Sequence, residues 1–120
     1  MKKNNTVLIT GGAGRIGTIL ARQLVQKKEN VVIMGRNTWE SIPEKYKPLR
    51  NRTNVILSRT MTKQDIQNYD NTILFNSIDS LLEYRKIPET NLLFEKWFVI
   101  GGSQIYKDFI ERNLVDEMIL

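Results

Sequence analysis

The hydrophobic pattern of the chain alternates short apolar runs with segments of helical periodicity. The run Val31–Met34 contains only apolar residues, which is typical of a strand covered on both faces. In the segment Arg15–Lys28, apolar side chains such as Ile16 and Leu20 recur at helical spacing. This alternation predicts strands and helices that follow each other along one chain.

The same pattern continues along the whole chain and predicts about six strands joined by helices. The predicted strands are Thr6–Thr10, Val31–Met34, Asn54–Ser58, Thr72–Phe75, Trp97–Ile100 and Asp116–Leu120. The predicted helices are Arg15–Lys28, Asn37–Ile42, Ser77–Lys86 and Ser103–Arg112. We therefore expect one α/β domain over residues 1–120, with three layers: an open, mostly parallel sheet of about six strands and helices on both faces.

Composition restricts the chemistry. The chain has 120 residues, no Cys and no His, which excludes disulfides, thiolate metal sites and histidine acid–base catalysis, and we expect no metal. The net charge of +5 favours anionic ligands, but Lys and Arg are spread along the chain, so we expect no specific nucleic-acid binding. No apolar run approaches the ~20 residues that span a bilayer, so we expect no membrane contact and a cytoplasmic location.

A glycine-rich segment follows the first predicted strand and opens the first predicted helix. Gly12, Gly14 and Gly17 have the spacing G-x-G-x-x-G, which permits a tight turn and a close approach of the backbone to a pyrophosphate. A glycine turn that serves packing alone is the alternative. The segment VLITGGAGRIG resembles the start of an extended short-chain dehydrogenase or nucleotide-sugar epimerase. That family's catalytic Tyr-x-x-x-Lys is absent, and Gly35-Arg36 replace the acidic residue of its NAD-binding members, which favours NADP.

From Val31 onward, four ordered pieces of sequence point to a second family: VVIMGRNTWESIP, PLRNRTNVILSR, FVIGGSQIYKDF and DEMIL. Together they resemble dihydrofolate reductase, a family that reduces dihydrofolate with NADPH. The resemblance implies a dihydrofolate-reductase-like, Rossmann-like fold and NADP(H) as the cofactor. The cofactor-binding residues that it implies are Gly35, Arg36, Asn37, Thr38, Leu57, Ser58, Arg59, Gly101, Gly102, Ser103, Gln104 and Ile105. In the family, a cis peptide joins the glycine pair that corresponds to Gly101-Gly102.

The same resemblance implies a site for a dihydrofolate-like small molecule. Its residues are Ser41, Ile42, Leu49, Arg52, Ile100 and Tyr106. Arg52 matches the arginine that grips the α-carboxylate of the folate glutamate, for which a guanidinium fork is suited. The family carries an Asp or Glu on its first helix that supports protonation of the pterin, whereas Arg15–Lys28 has no acidic residue. The family also continues past DEMIL, so we expect catalysis to be absent or very weak and assign no catalytic residue.

The sequence changes character near residues 30 and 31. One interpretation is a chimera of a dehydrogenase-like opening and a truncated dihydrofolate reductase body, and a divergent natural gene is the alternative. The two families also differ in strand order. In dihydrofolate reductase the strand that ends in Gly101-Gly102 lies between the first two strands, and we favour that order. A non-catalytic nucleotide- or phosphate-binding module, or an engineered structural protein, is the alternative function, and the unfinished last strand favours self-association.

Overall fold

Six strands form one sheet in the computed structural model, which describes residues 6–9, 29–49, 52–87 and 94–119. In chain order, β1 to β6 are Thr6–Ile9, Glu29–Gly35, Arg52–Leu57, Thr72–Phe75, Phe94–Gly101 and Glu117–Ile119. Their order across the sheet is β4-β3-β2-β5-β1-β6, and each of these pairs is parallel. The carboxyl ends of the strands therefore share one edge, which is where open α/β sheets bind ligands.

The helices of the described residues follow these carboxyl ends. They are α1 (Arg36–Ser41), α2 (Ile78–Arg85) and α3 (Ser103–Glu111), with 3₁₀ turns at Glu44–Tyr46 and Lys63–Asp65. Helix α1 ends just before Pro43, whose ring cannot continue a helix. Helix α2 begins after its N-cap Ser77, whose hydroxyl accepts a hydrogen bond from the Ser80 backbone N–H at 3.1 Å. None of the described helices is both long and apolar enough to cross a membrane.

The core consists of two apolar layers, one on each face of the sheet, because successive strand residues point to opposite faces. The α1 layer contains Val32, Met34, Trp39, Ile56, Ile66, Phe98 and Ile100. The α2–α3 layer contains Val31, Ile33, Val55, Leu57, Ile78, Leu81, Trp97, Val99 and Phe109. Both layers draw on β2, β3 and β5, which explains why the run at Val31–Met34 is apolar throughout.

The α/β class with a parallel sheet is confirmed. Strand β5 lies between β1 and β2, as favoured above, and the adjacent pairing of β1 with β2 that a dinucleotide-binding unit predicts is wrong. Strands β2 and β5 are longer than their apolar runs, because backbone pairing continues to Glu29 with Phe94 and to Gly35 with Leu57. The predicted glycine loop and the predicted helix Arg15–Lys28 lie outside the described residues.

Candidate functional site

A cleft of about 790 Å³ lies at the edge of the sheet where β2 and β3 end and α1 and α3 begin. Most of the residues predicted for cofactor binding line it: Gly35, Arg36, Asn37, Leu57, Ser58, Arg59, Gly102, Ser103, Gln104 and Ile105. Gly12, Gly14 and Gly17 lie outside the described residues. Gly35 and Gly102, which are 67 residues apart in sequence, thus meet at one concave surface.

Two glycines allow neighbouring elements to pack closely at this cleft. A Cβ atom on Gly35 would lie 3.2 Å from Cγ1 of Ile105, so this turn and helix α3 pack closely. Gly101 has a φ of +147°, which favours glycine, and a Cβ there would lie 2.7 Å from Oγ1 of Thr38. The peptide bond between Gly101 and Gly102 is cis, as the resemblance implies. Gly101 and Thr38 therefore lie directly beside the residues that line the cleft.

A network of side chains holds the end of β3 against α1. The Arg36 guanidinium donates to Oε2 of Glu40 through Nε at 3.0 Å and to Oγ1 of Thr60 through Nη1 at 2.8 Å. The Ser58 hydroxyl accepts hydrogen bonds from the backbone N–H groups of Thr60 and Met61 at 3.2 and 3.1 Å. Arg36 is consequently engaged by the protein itself, and Ser58 shapes the turn that carries Arg59.

Two arginines that line the cleft, Arg112 and Arg59, differ in whether a described residue binds their side chain. Nη1 of Arg112 donates to Oδ1 of Asp79 at 2.6 Å, and this hydrogen bond raises the pKa of Arg112 above its ordinary value. Arg59 is exposed and, within the described part of the chain, makes neither a hydrogen bond nor an ion pair. Arg59 is thus the arginine of this cleft whose guanidinium is available to an anionic ligand.

Helix α3 contributes backbone donors to the same cleft. Its N-cap is Gly102, which offers no side-chain cap, and its first turn contains no acidic residue. The first N–H groups of a helix lack intrahelical acceptors and carry a partial positive charge, which favours an anion such as phosphate. Gly102, Ser103 and Gln104 all line the cleft, so this helix start faces the space that Arg59 also borders.

Several lining residues were not predicted, namely Asn76, Ser77, Ile78, Asp79, Asp108 and Arg112. A signal for the first four was present, because they follow β4 and the carboxyl ends of parallel strands share an edge. Asp108 and Arg112 follow Gln104 at intervals of four residues, which places them on one face of α3. The Gln104 side chain donates to Oδ1 of Asp108 at 2.9 Å, in agreement with that spacing.

The predicted substrate residues divide between the two faces of the sheet. Ile100 belongs to the α1 layer, and Ile42 and Leu49 pack against it. Tyr106 instead packs against the α2–α3 layer, where burial raises its pKa. The structure therefore brings Ile42, Leu49 and Ile100 together on one face and places Tyr106 on the other.

The remaining predicted substrate residues are polar. Ser41 is exposed, and its hydroxyl donates to the Thr38 carbonyl at 2.7 Å. Arg52 shares a strand and a parity with Ile56, so its side chain is on the face of the α1 layer, and burial lowers its pKa. Among the described residues, no Asp or Glu is buried, and no group of Cys, His, Asp or Glu is arranged to hold a metal ion.

The family model and the related proteins described below all point to the same protein family. The family model described as "Dihydrofolate reductase" matches residues 20–120. The chain is 43% identical over 119 residues to the bifunctional dihydrofolate reductase-thymidylate synthase of Plasmodium chabaudi, a match that covers 98% of this chain and 18% of that protein. It is 40% identical over 104 residues to the dihydrofolate reductase of Candida albicans, with 85% of this chain and 49% of that protein covered.

A solved structure, Schistosoma mansoni dihydrofolate reductase, superposes with a TM-score of 0.76 at 23% identity, over 98% of this chain and 72% of that one. This likeness shows the fold. The chain spans about half or less of the length of the two curated relatives given above. The Plasmodium chabaudi match runs across residues 30 and 31, and none of these matches shows a dehydrogenase-like segment or a junction between two families.

Proposed function

The chain belongs to the dihydrofolate reductase family, and from this premise we propose that it binds NADP(H) in the cleft at the ends of β2 and β3. NADPH is the cofactor of this family. The observation that supports the proposal is the convergence of predicted cofactor residues on one cleft. This cleft also holds the start of α3, which has no side-chain cap, and the guanidinium of Arg59, which no described residue engages.

The residues of the cleft suit the phosphates of such a dinucleotide. The backbone N–H groups of Gly102 and Ser103, at the start of α3, are suited to donate to a pyrophosphate. Arg59, at the end of β3, supplies a charged fork for the 2′-phosphate that distinguishes NADP from NAD. When bound, NADPH supplies a hydride.

We further propose that the face of the α1 layer holds a dihydrofolate-like ligand. Ile42, Leu49 and Ile100 offer an apolar surface, and Arg52 lies on the same face as a partner for a carboxylate. Reduction also needs a proton source close to the pterin, and neither the described core nor the segment Arg15–Lys28 supplies a buried carboxylate. We therefore expect turnover of dihydrofolate to be very slow or absent.

Titration with NADPH, followed by nicotinamide fluorescence, tests the cofactor site. We expect saturable binding that is tighter than the binding of NADH, because only NADPH carries the 2′-phosphate. Absence of binding at millimolar NADPH would contradict the proposal. Dihydrofolate-dependent oxidation of NADPH tests catalysis, and rapid turnover would show that the missing carboxylate is not required.

A second candidate is a non-catalytic nucleotide-binding module. The observation that favours it is a cleft lined by most of the predicted cofactor residues, beside a substrate face that has no buried carboxylate in the described residues. Binding of dihydrofolate separates the two candidates, because a module of this kind binds NADPH and ignores dihydrofolate. Quenching of the fluorescence of the buried Trp39 in the α1 layer provides the readout.

A further inference from the structure

Asn54 is a polar residue in the centre of the sheet. It is fully buried, and its backbone pairs with Val32 of β2 and Thr72 of β4. Because Asn54 and Ile56 have the same parity along β3, the Asn54 side chain points into the face that carries the α1 layer. Burial of an amide in such a position is costly unless each polar atom has a partner.

The Asn54 amide finds its partners in the loop before β3. Its Oδ1 accepts from the backbone N–H of Leu49, and its Nδ2 donates to the carbonyl of Leu49, both at 3.0 Å. Nδ2 also lies 3.4 Å from the carbonyl of Arg52. The side chain thus pairs with both backbone groups of Leu49 in the manner of a neighbouring strand, although Leu49 belongs to neither a strand nor a helix.

We propose that Asn54 is a positioning residue, which fixes Leu49 and Arg52 in the places from which they contact a dihydrofolate-like ligand. The proposal rests on the proposed function of the α1-layer face. Asn54 itself is fully buried and acts through the two residues that it holds. A correctly placed apolar contact and guanidinium reduce the ordering that binding would otherwise require.

The side-chain amide of Asn54 is well suited to bind both backbone groups of Leu49. An acceptor and a donor on the same planar group are needed to bind the N–H and the carbonyl of one residue, and Asn has both. Ser is too short to reach both groups, and Ala offers neither. Loss of the pair leaves the Leu49 backbone groups without these partners, which favours opening of the loop towards solvent.

The variants Asn54→Ala and Asn54→Ser test the proposal, with Val55→Ala as the matched control. Val55 is equally buried but lies on the opposite face, in the α2–α3 layer. In the full chain saturated with NADPH, we expect Asn54→Ala to weaken dihydrofolate binding by about tenfold. The affinity for NADPH should change less than about twofold, and Val55→Ala should leave both affinities in place despite its loss of stability.

A double-mutant cycle with Arg52→Ala separates positioning from a merely structural role. If Asn54 acts by placing Arg52, the loss of dihydrofolate affinity caused by Asn54→Ala becomes smaller in the Arg52→Ala background. An equal loss in both backgrounds, or an equal loss in Val55→Ala, overturns the proposal.

Hydrogen exchange at the Leu49 amide distinguishes a failure of this proposal from a failure of the proposed function. If the parent chain binds NADPH but no dihydrofolate, the substrate half of the proposed function fails, and the positioning of Leu49 is judged by exchange alone. Exchange at Leu49 that is faster in Asn54→Ser than in Val55→Ala, after correction for global stability, supports the placement of Leu49 by Asn54. Equal exchange overturns it.

Discussion

Arg59 and Arg36 differ in what they are free to do, although both line the cleft. Arg36 is held by Glu40 and Thr60, so a ligand must compete with two existing hydrogen bonds. Arg59 has no such partner among the described residues, and the turn that carries it is fixed by the Ser58 hydroxyl. A fixed turn with an unengaged guanidinium is suited to bind a phosphate at little cost in reorganisation.

Replacement of Arg59 by Ala should therefore weaken the binding of NADPH by about tenfold, the scale of a charge-assisted hydrogen bond. The affinity for NADH, which has no 2′-phosphate, should change much less. Fluorescence titration with each dinucleotide measures the difference. Lys107→Ala is the matched control, because it removes one exposed positive charge that does not line the cleft. Equal losses for NADPH and NADH in Arg59→Ala would exclude contact with the 2′-phosphate.

Gly101 and Gly102 differ in how much space a Cβ atom would have at each position. A Cβ at Gly101 would meet Oγ1 of Thr38 at 2.7 Å on a backbone with φ +147°, whereas a Cβ at Gly102 would have Oγ1 of Thr38 as its nearest neighbour at 3.8 Å. We expect Gly101→Ala to lower the free energy of unfolding by about 1–3 kcal/mol more than Gly102→Ala does. Urea denaturation of both variants measures this difference, and equal stabilities would show that neither the contact with Thr38 nor the positive φ of Gly101 is costly.

At the scale of elements, the starts of α2 and α3 both reach the cleft but are built differently. Helix α2 has the Ser77 cap, which accepts from the Ser80 N–H, and an acidic residue, Asp79, in its first turn, and both features disfavour an anion there. Helix α3 has glycine at the N-cap and no acid in its first turn. The start of α3 therefore remains open to an anionic ligand, whereas the start of α2 only lines the cleft.

The Ser77 cap of α2 should contribute measurably to the free energy of unfolding. Ser77→Ala removes the acceptor for the Ser80 N–H, so we expect a loss of about 1 kcal/mol in the free energy of unfolding. Ser41→Ala is the control, because its hydroxyl is exposed and donates to the Thr38 carbonyl within α1 rather than accepting from a backbone N–H. Urea denaturation compares the two variants, and a loss in Ser41→Ala as large as in Ser77→Ala would contradict the capping role.

The elements also show what the sequence could and could not reveal. Apolar runs predicted the strands, because burial on both faces requires them, but backbone pairing beyond an apolar run, as at Glu29 of β2, leaves no apolar signal in the sequence. The resemblance to a known family implied the cofactor residues, and most of them line one cleft because they follow strand ends at one edge of the sheet. The bond between Asn54 and Leu49 was missed, since it depends on a loop folding back over a strand, for which the local sequence has no periodicity.

At the scale of the whole molecule, the strand order decides which loops meet. With β5 next to β2, the ends of β2, β3 and β5 are neighbours, and Gly101 comes to lie against Thr38. A sheet with β1 next to β2 would separate these residues. The cleft is thus a product of the long-range order of the sheet, and a ligand bound there contacts elements from much of the chain.

Such a ligand should stabilise the whole fold. At free NADPH near 100 times its dissociation constant, linkage gives about 2.7 kcal/mol, which corresponds to a rise in Tm on the order of 10 °C for a domain of this size. Thermal unfolding with and without NADPH measures the rise, and Arg59→Ala at the same concentration should show a much smaller one. Gly14→Ala, which would obstruct the approach of a nucleotide to the N-terminal glycine loop, should keep it. If NADPH still raises the Tm of Arg59→Ala but no longer raises that of Gly14→Ala, the nucleotide binds at the predicted glycine loop and not in the cleft.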